Sequence, residues 1–599
     1  MDIARVIGAN EKHNGYMQGS GYIVTWALGH LVQLALPSYY GQPRPSAENL
    51  PIIPDPFRLT IRHRKTEKGT SADPAAVKQM NVIDGVLSKC TSVIAATDAG
   101  REGELIFRYI YSHTSCNLPV RRLWISSLTD EAIRDGFESL RDGTDYDSLF
   151  KAADCRAKAD WLVGINASQA LAVASGTGNS SLGRVQTPTL ALICSRFLET
   201  RVFLPSEYWA LHITLEREGK HRQFAYTGEI REQAECDRLA PLVAPGTDVH
   251  IVKAENKTAY QAPPLLYDLT ALQKDCNIHH DLPADKTLEV AQALYEKKLI
   301  TYPRTGSRYI PDDVFRTAPA LLDFGLGLPR FASLRKISSD WSKPTRRCVD
   351  ASKVTDHHAL LVTGNPPGEL SGLEAKVYEM ITGRMLESFG PRCVKEITGY
   401  TAIIGEMEFT SRTVRVTDAG WRSVFSRSED REEDESEQPE STAEFTEGYV
   451  VPLSGHSFAK RKTRPKPLYT EATLLTAMET AGRDITDDAT REAMKECGIG
   501  TPATRAAIIV TLFRREYIER SGKSLIPTEK GLYTYQAVQD IRIADVRITG
   551  AWEQALPAIE AGSTALEPFL KAINVYTTHV KAEVMSLHFP NPSSCTLPC

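Results

Sequence analysis

Ser92-Val93-Ile94-Ala95-Ala96-Thr97-Asp98-Ala99-Gly100-Arg101-Glu102-Gly103-Glu104-Leu105-Ile106-Phe107-Arg108-Tyr109-Ile110 is the stretch on which the reading of the fold turns. Residues 92–96 form a short apolar run of the kind found in strands buried on both faces. Residues 105–110 read as a helix. Between them lies a turn with three carboxylates, Asp98, Glu102 and Glu104. A strand-to-helix turn sits at the carboxyl edge of an open α/β sheet, where such sheets bind ligands. Carboxylates are hard oxygen donors, the kind Mg²⁺ takes while keeping several waters. The same residues fit a solvated turn equally well, because acidic side chains are stabilised at helix N-termini.

A second stretch, Leu299-Ile300-Thr301-Tyr302-Pro303-Arg304-Thr305-Gly306-Ser307, ends another apolar run. In extended chain, positions i and i+2 point the same way, so Tyr302 and Arg304 would present a phenol and a guanidinium to one object. An arginine fork suits a phosphate and a phenolate can attack one. Tyrosine and arginine at this spacing are common on plain surface strands, and the pair gains weight only because the acidic turn suits phosphoryl chemistry too. Asp356-His357-His358 by itself would suit a metal cluster, but the separated aspartate motifs that such clusters need are not found around it. A turn histidine is the plainer reading of His357. Arg184 and Gln186 also lie two apart, behind Gly183, which permits close backbone approach. Arg505 fits a decorated helix and Thr504 a helix cap.

The bulk properties set bounds. A chain of 599 residues predicts several domains. An apolar fraction of 42% and a charged fraction of 24% are ordinary for a globular protein. The 11 cysteines are odd in number and scattered, which suits a reducing cytosol. No secretory signal opens the chain, and no apolar run is long enough for a membrane span. The net charge of −5 argues mildly against a nucleic-acid partner, but charge is segregated: 428–447 is acidic and 460–466 is basic. Local positive charge, not the total, neutralises phosphate. The acidic run fits a disordered insertion in a loop.

Seven motifs in order resemble the type IA DNA topoisomerases, specifically the bacterial topoisomerase III branch often carried on mobile elements. Val24-Thr25-Trp26-Ala27-Leu28-Gly29-His30-Leu31 is similar to the family's glycine-histidine motif, and residues 98–104 to its acidic Toprim motif. Arg156-Ala157-Lys158-Ala159-Asp160-Trp161-Leu162-Val163-Gly164 and Ser181-Leu182-Gly183-Arg184-Val185-Gln186-Thr187-Pro188 resemble its single-strand-binding motifs. Residues 301–304 resemble the active-site tyrosine motif, Asp356-His357-His358-Ala359 the histidine motif, and Gly498-Ile499-Gly500-Thr501-Pro502-Ala503-Thr504-Arg505 the late DNA-binding motif.

The resemblance implies a multidomain fold of α/β, α and β parts: a Toprim domain and a torus with nested domains. It places a Toprim domain at 1–150, helical DNA-binding parts at 151–205 and 469–590, and β hinge parts at 206–265 and 399–468. The gate with the tyrosine falls at 266–398 and a tail begins at 591–599. Tyr302 would be the nucleophile, forming a 5′-phosphotyrosyl link. Arg304 and His357 would hold the phosphate, and Asp98, Glu102 and Glu104 would hold Mg²⁺. Arg156, Asp160, Arg184, Gln186, Thr504 and Arg505 would line a groove for one strand. The implied partners are single-stranded DNA and negatively supercoiled or catenated DNA, with no membrane, for a monomeric, nucleoid-associated protein of the bacterial cytoplasm. Resealing would need no ATP, in keeping with the absence of a Walker A lysine motif.

The departures from the family are part of the expectation. Gly100 stands where the family's acidic motif has a second aspartate, which would weaken metal binding. The family begins with a strand ending in glutamate-lysine-proline-serine; this chain opens inside the following helix, without that glutamate and lysine. Glu11-Lys12 lies in a polar turn and does not take their place. Cys595-Thr596-Leu597-Pro598-Cys599 resembles the opening of a zinc tail, but two cysteines fall short of the four ligands of a tetrahedral site. A truncated start and end are expected. The alternative function is a catalytically impaired single-strand-binding clamp.

Overall fold

The computed structural model describes residues 1–42, 44–66, 69–176, 180–336, 341, 343–425, 443–482, 498–563 and 565–587. Residues 428–442 of the acidic run and the terminal cysteines lie outside the described residues.

The buried strand expected from the sequence forms at Val93–Ala95. It pairs in parallel with Val120–Arg122, which pairs antiparallel with Arg141–Asp142. The helix Arg101–His113 makes the crossover between the parallel strands, giving a βαβ unit. Its buried Leu105 and Tyr109 join a core with Leu31, Val32, Leu34, Met80 and Ile83. The acidic turn thus sits at the carboxyl end of the first strand. Gly103 is what lets the helix start fold back on that turn: a Cβ there would lie 2.1 Å from the Asp98 carbonyl oxygen.

The segment with alternating residues, 209–215, becomes part of the strand Glu207–Arg217, with Leu211, Ile213 and Leu215 facing inward. This strand belongs to a closed barrel of order Glu207–Arg217, Lys220–Tyr226, Met407–Asp418, Cys393–Ile404, Asp248–Gln261 and Val450–Lys462. Closure leaves the sheet without an edge. The chain leaves the barrel after Gln261 and returns at Cys393, and these two residues are direct register partners. Everything between them hangs from one point.

That insertion has its own apolar core, built on Leu272, Leu294, Leu322, Ile381 and Phe389 among others. Its helices include Leu269–His280, Ala284–Glu296 and Gly372–Phe389, the last begun by a capping box of Ser371 and Glu374. Ile300 makes an isolated bridge to Val362, and the Thr301 amide donates to the Leu361 carbonyl at 2.9 Å. No strand continues through Tyr302. Pro303 has no amide hydrogen to offer a ladder, so pairing stops there.

Helices from both sides of the barrel segments pack together. The 29-residue helix Asp147–Ser175 lies against Arg547–Glu560 and Leu566–Met585. Gln186–Val202 shares a core with Glu471–Glu479 and Pro502–Arg514 through Leu190, Leu475 and Ile509. Among the described residues no helix is long and apolar enough to cross a membrane.

Candidate active site

The acidic turn is fixed from below by Arg122, which is 1% exposed. Its guanidinium donates to the carbonyls of Ala95, Thr97, Leu123 and Asp98 at 2.6 to 2.9 Å, and its Nε meets Glu104 Oε2 at 3.1 Å. Glu104 is equally buried, and its other oxygen accepts from Arg108 at 2.8 Å. Both Glu104 oxygens are therefore committed to guanidinium groups. Of the three carboxylates expected to hold a cation, Glu104 points into the core while Asp98 and Glu102 stay at the surface.

Asp98 meets the insertion. Its Oδ1 lies 3.3 Å from His357 Nε2, and the His357 ring packs on Tyr302 with centroids 4.5 Å apart. Tyr302 also makes an edge contact with Tyr295 at 5.4 Å. Thr305 steadies the loop by donating to the His357 carbonyl at 2.8 Å. Arg304, two residues from Tyr302, is exposed. Glu102 is held by His30, whose Nε2 lies 2.5 Å from Oε1. Asp356 reaches over Gly100. The structure thus brings Asp98, Glu102, Tyr302, Arg304 and His357 to one junction between the α/β unit and the insertion.

The electrostatics of this junction are uneven. Burial opposes ionisation of Asp98, but His357 and Arg122 outweigh it and hold the carboxyl below its ordinary range. The hydrogen bond from His30 does the same for Glu102. Asp356 is pushed up by burial and by the charges of Asp98 and Glu102. Tyr302 is pushed up too, first by burial and then by Asp98, with Arg304 pulling the other way. The phenol keeps its proton in this arrangement.

The residues expected to line a DNA groove are placed differently. Arg184 is 6% exposed, stacks 4.6 Å over Trp552, and pairs with Asp160 at 3.1 Å and Glu553 at 3.6 Å. Arg156 shares Glu553 at 3.0 Å. Gln186 is buried and exchanges hydrogen bonds with Ser181. Arg505 is 3% exposed and donates to Thr270 Oγ1 at 3.1 Å. Thr504 hydrogen-bonds Thr501 in a capping box as the third residue of the helix; the N-cap is Thr501, not Thr504 as the cap reading had it. Arg184, Gln186 and Arg505, expected to line the groove, are thus buried in polar networks in this structure. Arg156 and Asp160 remain partly exposed.

A model of the DNA topoisomerase family matches residues 144–571. DNA topoisomerase 3 of Bacillus licheniformis is 36% identical over 595 residues, covering 98% of this chain and 80% of that protein. DNA topoisomerase 3 of Bacillus subtilis is 36% identical over 598 residues, covering 97% and 80%. This chain belongs to the DNA topoisomerase family. It is of type IA, in the topoisomerase III branch, an enzyme of DNA strand cleavage and passage, and the silent-clamp alternative is not favoured. Full-length topoisomerase I from Thermotoga maritima shares the fold, with a TM-score of 0.67 at 22% identity over 97% of this chain and 89% of that one.

The type IA topoisomerases need a divalent metal. The donor set fits one of the hard kind: the Asp98 and Glu102 side chains are 48% and 66% exposed on one turn. Among the described residues no three acidic or histidine groups converge into a closed cage. A cation that keeps most of its waters and takes one or two carboxylates needs none. Sequence reasoning missed His30 and Asp356 as site members, although both lie inside quoted motifs. It also missed Arg122, which carries no local signal.

Two outcomes follow from the buried pairs of this topoisomerase. Glu104→Gln leaves Arg122 uncompensated and should lower stability by about 3–5 kcal/mol in urea unfolding, whereas Glu102→Gln should cost less than about 1 kcal/mol. Arg184→Ala should destabilise by a similar 3–5 kcal/mol. It should leave the dependence of log single-strand affinity on log salt unchanged, and a fall in slope of about 0.7 would show a phosphate contact instead.

Proposed function

We propose that Tyr302 is the nucleophile of this topoisomerase, and the observation behind it is the packing of the Tyr302 ring against His357, whose Nε2 lies 3.3 Å from Asp98 Oδ1. The phenol oxygen attacks a backbone phosphorus of a single strand. The bond from phosphorus to the 3′-oxygen breaks, the strand is left with a free 3′-hydroxyl, and the 5′-phosphate is held on Tyr302. The phosphodiester energy stays in the new bond, so reversal needs no ATP. Arg304, exposed beside the phenol, donates to the phosphate oxygens, and His357 Nε2 faces the same space. Asp98 and Glu102 would hold Mg²⁺, which when bound would position the strand ends for resealing.

On this reading the α/β unit is a Toprim domain and the insertion is its gate, with residues 1–150, 151–205, 206–265, 266–398, 399–468 and 469–590 forming the nested domains. The substrates are single strands in negatively supercoiled or catenated DNA, and the enzyme acts as a monomer in the cytoplasm. The seam between the insertion and the α/β unit is polar and exposed: Arg316 pairs with Glu131 at 3.0 Å, Thr129 donates to Asp313 at 3.1 Å, and Lys298 lies 3.8 Å from Asp2. Exposed pairs contribute about 0–1 kcal/mol each, which suits a seam that opens.

Labelled single-stranded DNA should remain attached to the denatured wild-type protein and not to Tyr302→Phe; an adduct surviving in the variant overturns the assignment. The raised Tyr302 proton affinity also gives a signed pH test. Cleavage should climb with pH, with its rising limb above the ordinary tyrosine range near about 10. Asp98→Asn removes a charge that favours the protonated phenol, so its rising limb should move to lower pH even as resealing is lost. A profile that stays in place would separate Asp98 from Tyr302.

A further inference from the structure

The basic run at 460–466 has no part in the junction that carries Tyr302, and the fold gives it a defined surface. Past the pairing of Glu207–Arg217 with Lys220–Tyr226, the first of these strands continues with Val450–Lys462 as a two-stranded ribbon, apart from one bridge between Trp209 and Ile230. In it Glu207, Tyr208 and Trp209 are register partners of Lys462, Arg461 and Lys460. Beyond the ladder the two segments stay side by side. The Thr463 amide donates to the Ser206 carbonyl and the Ser206 amide to Thr463 Oγ1, both at 2.9 Å, and Arg196 donates to the Pro467 carbonyl at 3.0 Å. Alternation puts Trp209, Lys460, Glu207 and Lys462 on one face of the ribbon and Tyr208 and Arg461 on the other. Lys460 and Lys462 share the single carboxylate of Glu207, at 2.7 and 3.4 Å. Among the described residues no carboxylate pairs with Arg201, Arg461, Arg464 or Lys466, and all four are exposed. Beside them Val202, Leu204 and Tyr208 are 74%, 87% and 37% exposed.

Lysines on an open strand edge discourage pairing with another chain, and that accounts for Lys460 and Lys462. It does not account for the rest. Arg201, Arg464 and Lys466 lie beyond the ladder, where no edge needs guarding, and exposed Val202, Leu204 and Tyr208 invite association. Cations interleaved with exposed apolar and aromatic side chains suit an unstacked polynucleotide, whose phosphates meet the cations and whose base faces meet the ring. A duplex keeps its base faces inside the stack and offers such a surface phosphates alone. We propose that the ribbon and its flanks, at 201–208 and 461–466, form a second contact for single-stranded DNA, outside the junction. Arg461, Arg464 and Lys466 neutralise phosphates and Tyr208 stacks on a base. This uses the DNA partner that belongs to the family and does not rest on Tyr302 as nucleophile. The surface is made by the barrel and the helical part, so it holds its strand whatever the position of the insertion.

The test is fluorescence anisotropy of the full chain with labelled oligo(dT) and, separately, with a labelled duplex, each across a salt series. Tyr302→Phe serves as the parent protein, so that binding is read without a covalent adduct. Replacing Arg461, Arg464 and Lys466 together by alanine should lower the slope of log affinity against log salt on oligo(dT) by about 2, at about 0.7 per phosphate. Tyr208→Ala removes no charge, so it should leave that slope unchanged while weakening oligo(dT) binding roughly tenfold, and Tyr208→Trp should keep the affinity. Duplex affinity should not respond to Tyr208→Ala. Far-UV circular dichroism confirms folding, and if the triple variant fails to fold, Tyr208→Ala decides. An unchanged slope in the folded triple variant overturns the inference, as does parental oligo(dT) affinity in Tyr208→Ala. An equal loss on the duplex in Tyr208→Ala overturns the assignment to single strands. A parent that binds no oligo(dT) overturns it together with the single-strand reading of the substrate. The nucleophile is untouched by these outcomes, because its own test is the adduct.

Discussion

The buried pair of Arg122 and Glu104 is the constraint on which the site depends. Removing two charges from water is expensive, and such a pair adds little net stability compared with apolar packing. Its role is geometric. Arg122 spends its donors on the backbone of the strand end and the acidic turn, and Glu104, one helical turn into the crossover helix, fixes where that guanidinium sits. Strand, turn and helix are thereby locked at one angle. Asp98 projects from that lock to His357, and His357 meets Tyr302. A chain of contacts runs from the α/β core to the phenol, so the surroundings of Tyr302 are set by a unit to which it does not belong.

The same chain creates an electrostatic opposition. After burial, Asp98 is the main influence that keeps the Tyr302 proton in place, and Arg304 only partly offsets it. A bare acidic turn therefore favours the protonated phenol, and any positive charge placed on Asp98 weakens that preference. If Tyr302 attacks and Asp98 holds a cation, as proposed above, one carboxylate meets two different demands: it must not be left bare beside the phenol, yet it must be ionised to hold the cation. His357 and Arg122 meet the second demand by keeping Asp98 below its ordinary range.

Much of this was legible in the sequence, and what was not has a physical reason. The strand at 93–95 and the helix after it followed from an apolar run and a periodic one. The barrel strand at 207–217 followed from alternation. The approach of residues 98, 302 and 357 could not follow from periodicity, because it joins separate units, and came only from resemblance to a family. The burial of Glu104 was not legible because a carboxylate in an acidic motif looks the same on a one-dimensional chain whether it faces solvent or a buried arginine; its partner Arg122 lies on the neighbouring strand. The burial of Arg184 and Arg505 was hidden for the same reason. Their neutralising partners Asp160, Glu553 and Glu479 are distant in sequence, and long aliphatic stems let arginines bury against surfaces such as the Trp552 ring.

The attachment of the insertion argues that it moves as a body. Its two ends are register partners on adjacent barrel strands, so a small change in backbone angles at Gln261 and Cys393 rotates all that lies between them. Its apolar core is complete and shares no member with the core of the α/β unit. Parting that seam exposes Asp98, Asp356, His357, the Tyr302 ring and a few already hydrated ion pairs, and water compensates the charged groups at little cost. The helical side is held differently, since Ala284 is packed into the core of the late helices and Arg505 is buried against Thr270. The softest face of the insertion is therefore the one that bears the phenol. A covalent bond to a DNA end at Tyr302 would be carried along with that face, leaving the other end behind on the α/β side.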